Sequence, residues 1–273
     1  MRELPIREIK DLSFQVLRSL RQICEENGLR YSLTGGTLIG AVRHQGFIPW
    51  DDDIDVMMPR PDYDRLIAIV AAGDYGFDLR CGELDGEGYW YPFAKACHRH
   101  TLVVEKDTQE SAVDLGVYVD IFPVDGAGNR PRGAKLRVMR FQFLHGLKIT
   151  SNWTSYHRSK LRSWYYEPPR YVCYLISRIW GRRRIDRALE RFLRRKPYET
   201  SAYVGRLVGD YGSKEVMERS VFEKTVPVTF EGETFQAIEG YDTFLTRLYG
   251  NYMQLPPVEK QVSHHEFQAY WVD

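Results

Sequence analysis

Thr34-Gly35-Gly36-Thr37-Leu38-Ile39-Gly40-Ala41-Val42-Arg43-His44-Gln45-Gly46-Phe47-Ile48-Pro49-Trp50-Asp51-Asp52-Asp53-Ile54-Asp55-Val56-Met57-Met58-Pro59-Arg60 is the stretch on which the reading of this chain turns. Gly35-Gly36-Thr37 predicts a small-residue turn that opens a short helix carrying Arg43 and His44. Backbone N–H groups at such a turn can approach a phosphate closely, and a helix start favours negative charge. Arg43, a short way past the turn, is placed to hold a phosphate bidentately. Asp53-Ile54-Asp55-Val56 alternates as a strand does, so Asp53 and Asp55 project from one face, about 6–7 Å apart at Cα. Like charges that close repel one another, and a cation between them relieves the repulsion. Hard carboxylate oxygens suit Mg²⁺ or Mn²⁺, ions that take one or two carboxylates together with substrate phosphates. A phosphate cradle beside metal-binding carboxylates points to phosphoryl or nucleotidyl chemistry. An acidic turn after Pro49-Trp50 would be ordinary by itself. The Gly-Gly turn before it and a second acidic element downstream set it apart.

That second element is Gly116-Val117-Tyr118-Val119-Asp120-Ile121-Phe122-Pro123, a β-branched and aromatic run bounded by Pro123 and an Asp125-Gly126 turn. Asp120 between Val119 and Ile121 needs a partner if the strand is buried. A strand lying beside Asp53–Val56 would bring a third carboxylate to the site, and three carboxylates can hold two divalent ions.

Gly-Gly, then D-h-D-h, then h-D-h on a later strand (h apolar) is the signature of the nucleotidyltransferase fold. The longer wording G-G-T-L-I-G-A-V-R-H…G-F-I-P-W-D-D-D-I-D-V…P-R…D-Y resembles the LicD family, which also includes the fukutin-related proteins. Members transfer phosphocholine from CDP-choline, or a related phosphopolyol from its CDP ester, onto a glycan hydroxyl. The resemblance implies Asp53, Asp55 and Asp120 as metal ligands and catalytic residues, with Asp51 beside them. It implies substrate contacts from Gly35, Gly36, Thr37, Arg43, His44 and Lys95. Thr101 and Glu105, and the ending Leu248-Tyr249-Gly250-Asn251-Tyr252-Met253…Pro256-Pro257…His264, match family stretches too. The family commonly carries an acid or amide near Cys97-His98, which this chain lacks. The likeness is good over about residues 20–125, loose over the last 30, and absent in the middle.

Composition bounds the rest. With 273 residues, 43% hydrophobic and 27% charged, the chain is ordinary globular material with a sizeable core. No apolar leader follows Met1-Arg2-Glu3-Leu4-Pro5, and the longest apolar run, Tyr171–Ile176, is far short of a membrane span. Cys24, Cys81, Cys97 and Cys173 lack paired spacing, which suits a reducing cytoplasm. The expected location is cytoplasmic, with peripheral contact at the inner membrane face. The net charge of +1 hides an asymmetry: Arg130 to Lys196 holds 19 Lys and Arg against three acids, Glu167, Asp186 and Glu190. Such an excess calls for an anionic partner. Trp153, Trp164, Tyr165, Tyr166, Tyr171 and Trp180 interleave with the basic residues as in interfacial segments, so an anionic membrane surface is the expected partner. Nucleic acid is not expected, because no recognised module accompanies the charge.

Periodicity predicts an amphipathic helix over Arg7–Asn27 stopped by Gly28, a strand at Leu29–Leu33, a helix from Pro61 to Ala72, and strands at Phe77–Cys81 and Leu102–Glu105. Arg130–Thr150 and Tyr171–Arg195 read as helices separated by Glu167-Pro168-Pro169. Phe222–Phe235 reads as a hairpin around Glu231-Gly232, and Tyr241–Tyr249 as a short helix capped by Asp242. The expected fold is α/β (α+β): a nucleotidyltransferase-like mixed-sheet core over 1–128, a basic helical insertion over 129–200, and a C-terminal segment, 201–273, packing back on the core as one compact unit. Tyr89, Trp90 and Tyr91 either stack on a base or quaternary ammonium or fill the core. Cys97-His98-Arg99-His100 holds metal-binding residue types, but no second cluster completes a zinc site. His264-His265 either reaches the cleft or caps the tail, so His98, His100 and His264 have no assigned role.

The expected reaction is metal-dependent transfer of a phospho-alcohol, phosphocholine first, from a CDP-activated donor to a glycan or lipid-linked glycan, releasing CMP. Nucleotide transfer onto a small molecule by the same site stays open. So does a membrane- or RNA-binding protein that has lost catalysis, although intact Asp53, Asp55 and Asp120 speak against it.

Overall fold

The computed structural model describes residues 1–86, 89–105, 113–158, 164–209, 211–262 and 267–272. The fold is mixed α/β, and its contacts divide the chain into two compact units, Met1–Val124 with Met217–Asp273, and Asp125–Val216. Residues 201–216 therefore group with the basic helices, whereas the sequence reading placed them with the C-terminal segment.

In the first unit the chain runs β1 (Arg2–Glu3), α1 (Ile6–Asn27), β2 (Ser32–Leu33), α2 (Gly35–His44), β3 (Asp55–Pro59), α3 (Arg60–Ala72), β4 (Phe77–Arg80), α4 (Gly82–Asp85), β5 (Ala94–His98) and β6 (Thr101–Glu105). Strand β7 (Tyr118–Gly128) begins in this unit and ends in the second. Helix α1 buries Leu12, Val16, Leu17, Leu20 and Ile23, the stripe that an amphipathic period demands, and packs on β5. Burial of each large aliphatic side chain contributes roughly 1.5–3 kcal/mol. Gly28 ends α1 in the left-handed region at φ +59, donating its N–H to the carbonyls of Cys24 and Glu25.

The central sheet of this unit has the order β2-β3-β7-β5-β4. Only the β3–β7 pair is parallel; its neighbours on either side pair antiparallel. Ile54, Val56, Met58, Val119 and Ile121, each fully buried, form the apolar alternation of the two middle strands. Pro123 does not end β7 as the sequence reading expected. It pairs opposite Met58 within the strand, and Asp125-Gly126 continues the ladder rather than turning.

The second unit holds α5 (Pro131–Ser151), α6 (Glu167–Trp180), α7 (Arg182–Arg194), β8 (Tyr203–Gly205) and the start of β9 (Val216–Glu218). Leu147, Cys173 and Ile185 form the small core where the three helices meet. The expected single helix over Tyr171–Arg195 is two, broken where Gly181 takes φ +75. Pro168 and Pro169 do not separate helices. They lie in the first turn of α6, where a missing N–H costs nothing. Arg206 and Glu215 form a buried ion pair at 2.5 Å, and Glu215 also accepts from the Tyr211 N–H.

The chain returns to the first unit with β10 (Thr225–Phe230), β11 (Glu233–Ile238), α8 (Tyr241–Tyr249) and β12 (Phe267–Trp271). The hairpin turns at Glu231 (φ +50) and Gly232 (φ +76), two successive left-handed residues that match the twist of the flanking strands. Asp242 does not cap α8; its carboxylate accepts from the Tyr252 hydroxyl at 2.8 Å. Strand β12, unforeseen in the sequence, completes a separate sheet of order β1-β12-β6. Among the described residues no helix is long and apolar enough to cross a membrane. All four cysteines are free and buried.

Candidate active site

Strand register builds the site. Asp55 on β3 lies directly beside Asp120 on β7, and Asp120 lies directly opposite Lys95 on β5. Three adjacent strands thus set Asp55, Asp120 and Lys95 in one row across the sheet, because cross-strand partners share a face. The Lys95 ammonium pairs with the Asp120 carboxylate at 2.6 Å, with side-chain exposures of 2% and 14%. Its nitrogen also sits 3.5 Å from the centre of the Tyr118 ring, 4.4 Å from that of Tyr91 and 5.3 Å from that of Phe93. Lys95 is therefore no surface lysine. The aromatic cage considered for Tyr91 is filled by the chain's own cation. Tyr89 belongs to the core, buried beside Cys97 and Leu115 with its hydroxyl donating to the Phe93 carbonyl.

The Gly-Gly turn meets the acids from the other side. Thr34 is extended and α2 starts at Gly35, which takes φ +58. A Cβ on Gly35 would lie 2.6 Å from Oδ2 of Asp55, and one on Gly36 would collide with Oδ2 of Asp51. Glycine is needed at both positions because carboxylates press against the first turn of a helix, where unpaired amides and the helix dipole favour negative charge. The Thr37 hydroxyl accepts from the Asp55 N–H at 2.8 Å, and the Thr34 N–H donates to the Asp55 carbonyl at 3.0 Å. These bonds lock the start of β3 to the start of α2. The Asp120 N–H donates to the Ile54 carbonyl at 2.9 Å, carrying the pairing one residue beyond the strand. Asp53 precedes β3, half-buried, while Asp52 is buried.

Burial pushes the Asp53 carboxyl well above the usual carboxylate range, and the charges of Asp55, Asp51 and Asp120 push it further the same way. Asp53 thus senses three further carboxylates. Among the described residues no three His, Cys, Asp or Glu side chains stand already arranged around an ion position. The donor set nonetheless fits a hard divalent cation: it is all oxygen, it is mutually repulsive, and glycines leave room beside it.

Arg43 and His44 lie at the far end of α2, about 12 Å along its axis from Gly35. Arg43 donates to the carbonyls of Tyr252 at 2.6 Å and Gln254 at 3.3 Å, and its Nε faces His44 at 3.0 Å. The matched ending thereby clamps α2. His44 stands edge-on to Trp50, and burial lowers its pKa, with Arg43 adding to the effect. Thr101 is structural: its hydroxyl donates to the His98 carbonyl and accepts from the Val117 N–H. His98 and His100 pack edge to face, with Trp271 against His98. His264 and the Glu105 side chain lie outside the described residues. The sequence reading missed Tyr118 and Phe93. Both were within its reach, since Tyr118 stands two before Asp120 and Phe93 two before Lys95, the spacing of one strand face.

Carboxylates on two parallel neighbours, a lysine on the antiparallel strand beside them and a glycine-opened helix against them make an arrangement suited to phosphorylated substrates. Residues 28–174 match the family described as LicD/FKTN/FKRP, nucleotidyltransferase domain. The chain is 31% identical over 273 residues to the lipopolysaccharide cholinephosphotransferase LicD of Haemophilus influenzae, covering 99% of each protein. It is 47% identical over 47 residues to the ribitol 5-phosphate transferase FKRP of Homo sapiens, covering 15% of this chain and 10% of that protein. An uncharacterized protein of Rickettsia typhi is 43% identical over 58 residues, 21% of this chain and 19% of its own. The chain belongs to the LicD family and is an enzyme of its phosphotransferase type.

Proposed function

We propose that the enzyme moves a phospho-alcohol, phosphocholine first, from a CDP ester to a glycan or lipid-linked glycan hydroxyl and releases CMP. The acceptor oxygen forms a bond to phosphorus, the pyrophosphate bridge breaks with its electron pair leaving on CMP, and the hydroxyl proton is lost. The observation that carries this reading is the row Asp55–Asp120 on parallel neighbours, with Asp51 and Asp55 pressed on the Gly35-Gly36 turn. The full-length likeness to a cholinephosphotransferase favours choline as the alcohol. The FKRP likeness is confined to 47 residues and bears on shared machinery rather than on the alcohol.

Asp53, Asp55 and Asp120, with Asp51 beside them, would hold Mg²⁺ or Mn²⁺. When bound there, such an ion neutralises the carboxylates, polarises phosphoryl oxygens and eases deprotonation of the acceptor. The amides at the start of α2 would meet charge developing on phosphoryl oxygens. Lys95 holds Asp120 in orientation through its ion pair. Arg43 steadies α2 from the C-terminal segment and leaves direct phosphate contact to the turn. Offering CDP-choline, CDP-ribitol and CDP-glycerol with Mg²⁺ and following CMP release tests the reading. CDP-choline should be cleaved fastest, and no CMP from any of the three would end it.

We also propose that the second unit meets an anionic membrane surface from the cytoplasmic side. Val172, Leu175 and Ile179 form an exposed apolar stripe on α6, Trp164 and Tyr165 are exposed before it, and Arg183, Arg184, Arg187 and Arg191 are exposed on α7. Replacing Arg182, Arg183 and Arg184 by Gln should weaken binding to phosphatidylserine vesicles by at most about 3 kcal/mol. Vesicle binding indifferent to lipid charge would refute it.

A further inference from the structure

A cavity of about 270 Å³ lies between α5 and the end of α7, lined by Gly133, Leu136, Arg137, Arg140, Phe192, Arg195 and Lys196. Its α5 side is one helix face, since residues 133, 136, 137 and 140 follow the helical period. Four of the lining residues are cations, and none is an acid. Arg140, Arg195 and Lys196 are exposed at the rim, and their side chains pair with nothing among the described residues. Arg137 is different: it is 95% buried, being only 5% exposed. One of its terminal nitrogens donates to the carbonyls of Phe192 at 2.6 Å and Leu193 at 3.0 Å, at the end of α7. Its Nε is buried and has no hydrogen-bond partner among the described residues.

A buried guanidinium donor left without an acceptor keeps the full cost of its lost hydration, and the cost is larger for a charged group. Burial disfavours the Arg137 charge and Arg195 acts the same way, while the buried Asp125 acts against both. Such an arrangement is relieved by an anion with several acceptor oxygens. Guanidinium forks match a phosphate bidentately, and Lys196 adds a point charge. The volume lies just below the range of about 300–1,000 Å³ typical of whole small-molecule pockets, so it suits a phosphate or pyrophosphate with little attached.

We propose that this cavity is a second anion site, which takes a phosphate monoester or pyrophosphate group. None of its residues belongs to the carboxylate cluster. The site stands independently of the proposed reaction, since binding can be read without turnover. In a phosphotransferase it would hold a phosphate already present on the acceptor.

Calorimetric titration of the full chain in chelator-treated, low-salt buffer tests it, with inorganic pyrophosphate and then glucose 6-phosphate as probes. The triple change Arg140→Gln, Arg195→Gln, Lys196→Gln touches only exposed residues and should weaken pyrophosphate at least tenfold. Gly133→Leu keeps all four cations but occupies the space, since a Cβ at Gly133 meets no atom within 4 Å. It should weaken binding as much, which diffuse surface charge would not explain. Asp55→Asn should bind pyrophosphate like the unaltered chain. Absence of pyrophosphate binding at millimolar concentration, or binding that Gly133→Leu leaves unchanged, overturns the proposal. Failure of CMP release with this binding intact would instead overturn only the reaction. A sedimentation arm assigns the source of the phosphate. Retention on phosphatidic acid vesicles that Gly133→Leu abolishes supports a lipid headgroup. Tighter binding of glucose 6-phosphate, with vesicles indifferent to the change, supports a sugar phosphate.

Discussion

Lys95→Met isolates the row of charges at the heart of the first unit. Methionine keeps most of the apolar stem, so packing on Tyr118, Tyr91 and Phe93 largely survives while the ammonium is lost. Asp120, with a side chain 14% exposed, would then face Asp55 on the neighbouring β3 with its 2.6 Å cationic partner removed. Removing one member of a buried pair costs about 3–5 kcal/mol, and the lost cation–π contact to Tyr118 at 3.5 Å acts in the same direction. For a chain of this size each kcal/mol reads as roughly 2–4 °C, so the metal-free protein should melt roughly 6–20 °C lower. Urea denaturation of Lys95→Met, Asp120→Asn and the double variant closes a cycle. A coupling of about 0.5–3 kcal/mol is expected, the double variant being more stable than additivity allows. Mg²⁺ should restore more stability to Lys95→Met than to the double variant, because only the former keeps the Asp120 carboxylate. A loss below about 1 kcal/mol together with no coupling would refute the row as an electrostatic unit.

Asp53→Asn should separate stability from activity. It removes a carboxyl that burial and three neighbouring acids disfavour as an ion, so the metal-free midpoint should rise, a gain of about 1 kcal/mol reading as roughly 2–4 °C. Turnover should nevertheless fall at least about a thousandfold, ~4 kcal/mol of barrier, and near-normal turnover would remove Asp53 from the metal site. EDTA should abolish activity, Mg²⁺ or Mn²⁺ restore it, and Zn²⁺ fail to, because an oxygen-only site disfavours the softer ion; full activity in metal-free buffer would contradict this. The His145 imidazole is pushed from 6.5 down to about 4, by burial first and Lys148 second. The unfolded chain therefore binds the extra proton between those values, and stability is full above pH 6.5 and declines as pH falls towards 4. The loss in the second unit should reach about 1–2 kcal/mol by pH 5, and His145→Phe should flatten the slope.

The central strands and the acidic row were legible because one face of each is apolar and one polar. Asp53, Asp55 and Asp120 stand out against Ile54, Val56, Val119 and Ile121, and an acid in such a run implies a neighbour with which to share it. The turn at Glu231-Gly232 was legible for a local reason, the left-handed backbone that glycine accepts. Pro123 misled because proline's missing N–H was read as an end. It lies within β7, paired opposite Met58. Gly181 was overlooked as a break because the apolar period on either side continues through it. β12 carries no turn signal of its own and gains its place only from β1 and β6, far away in the sequence. The role of Arg43 could not be read locally at all, since its partners are carbonyls at Tyr252 and Gln254. The Lys95–Asp120 pair depends on register between strands 25 residues apart, which alternation places on a face but does not align.

The most direct test of the account follows the transferred group itself. The full chain is incubated with Mg²⁺, CDP-choline labelled in the choline methyl groups, and a lipopolysaccharide-derived oligosaccharide, and the oligosaccharide is examined by mass spectrometry. The account predicts one phosphocholine added per acceptor, equimolar CMP released, and neither product with Asp55→Asn. Labelled choline appearing only as free phosphocholine, or transfer persisting in Asp55→Asn, would contradict it.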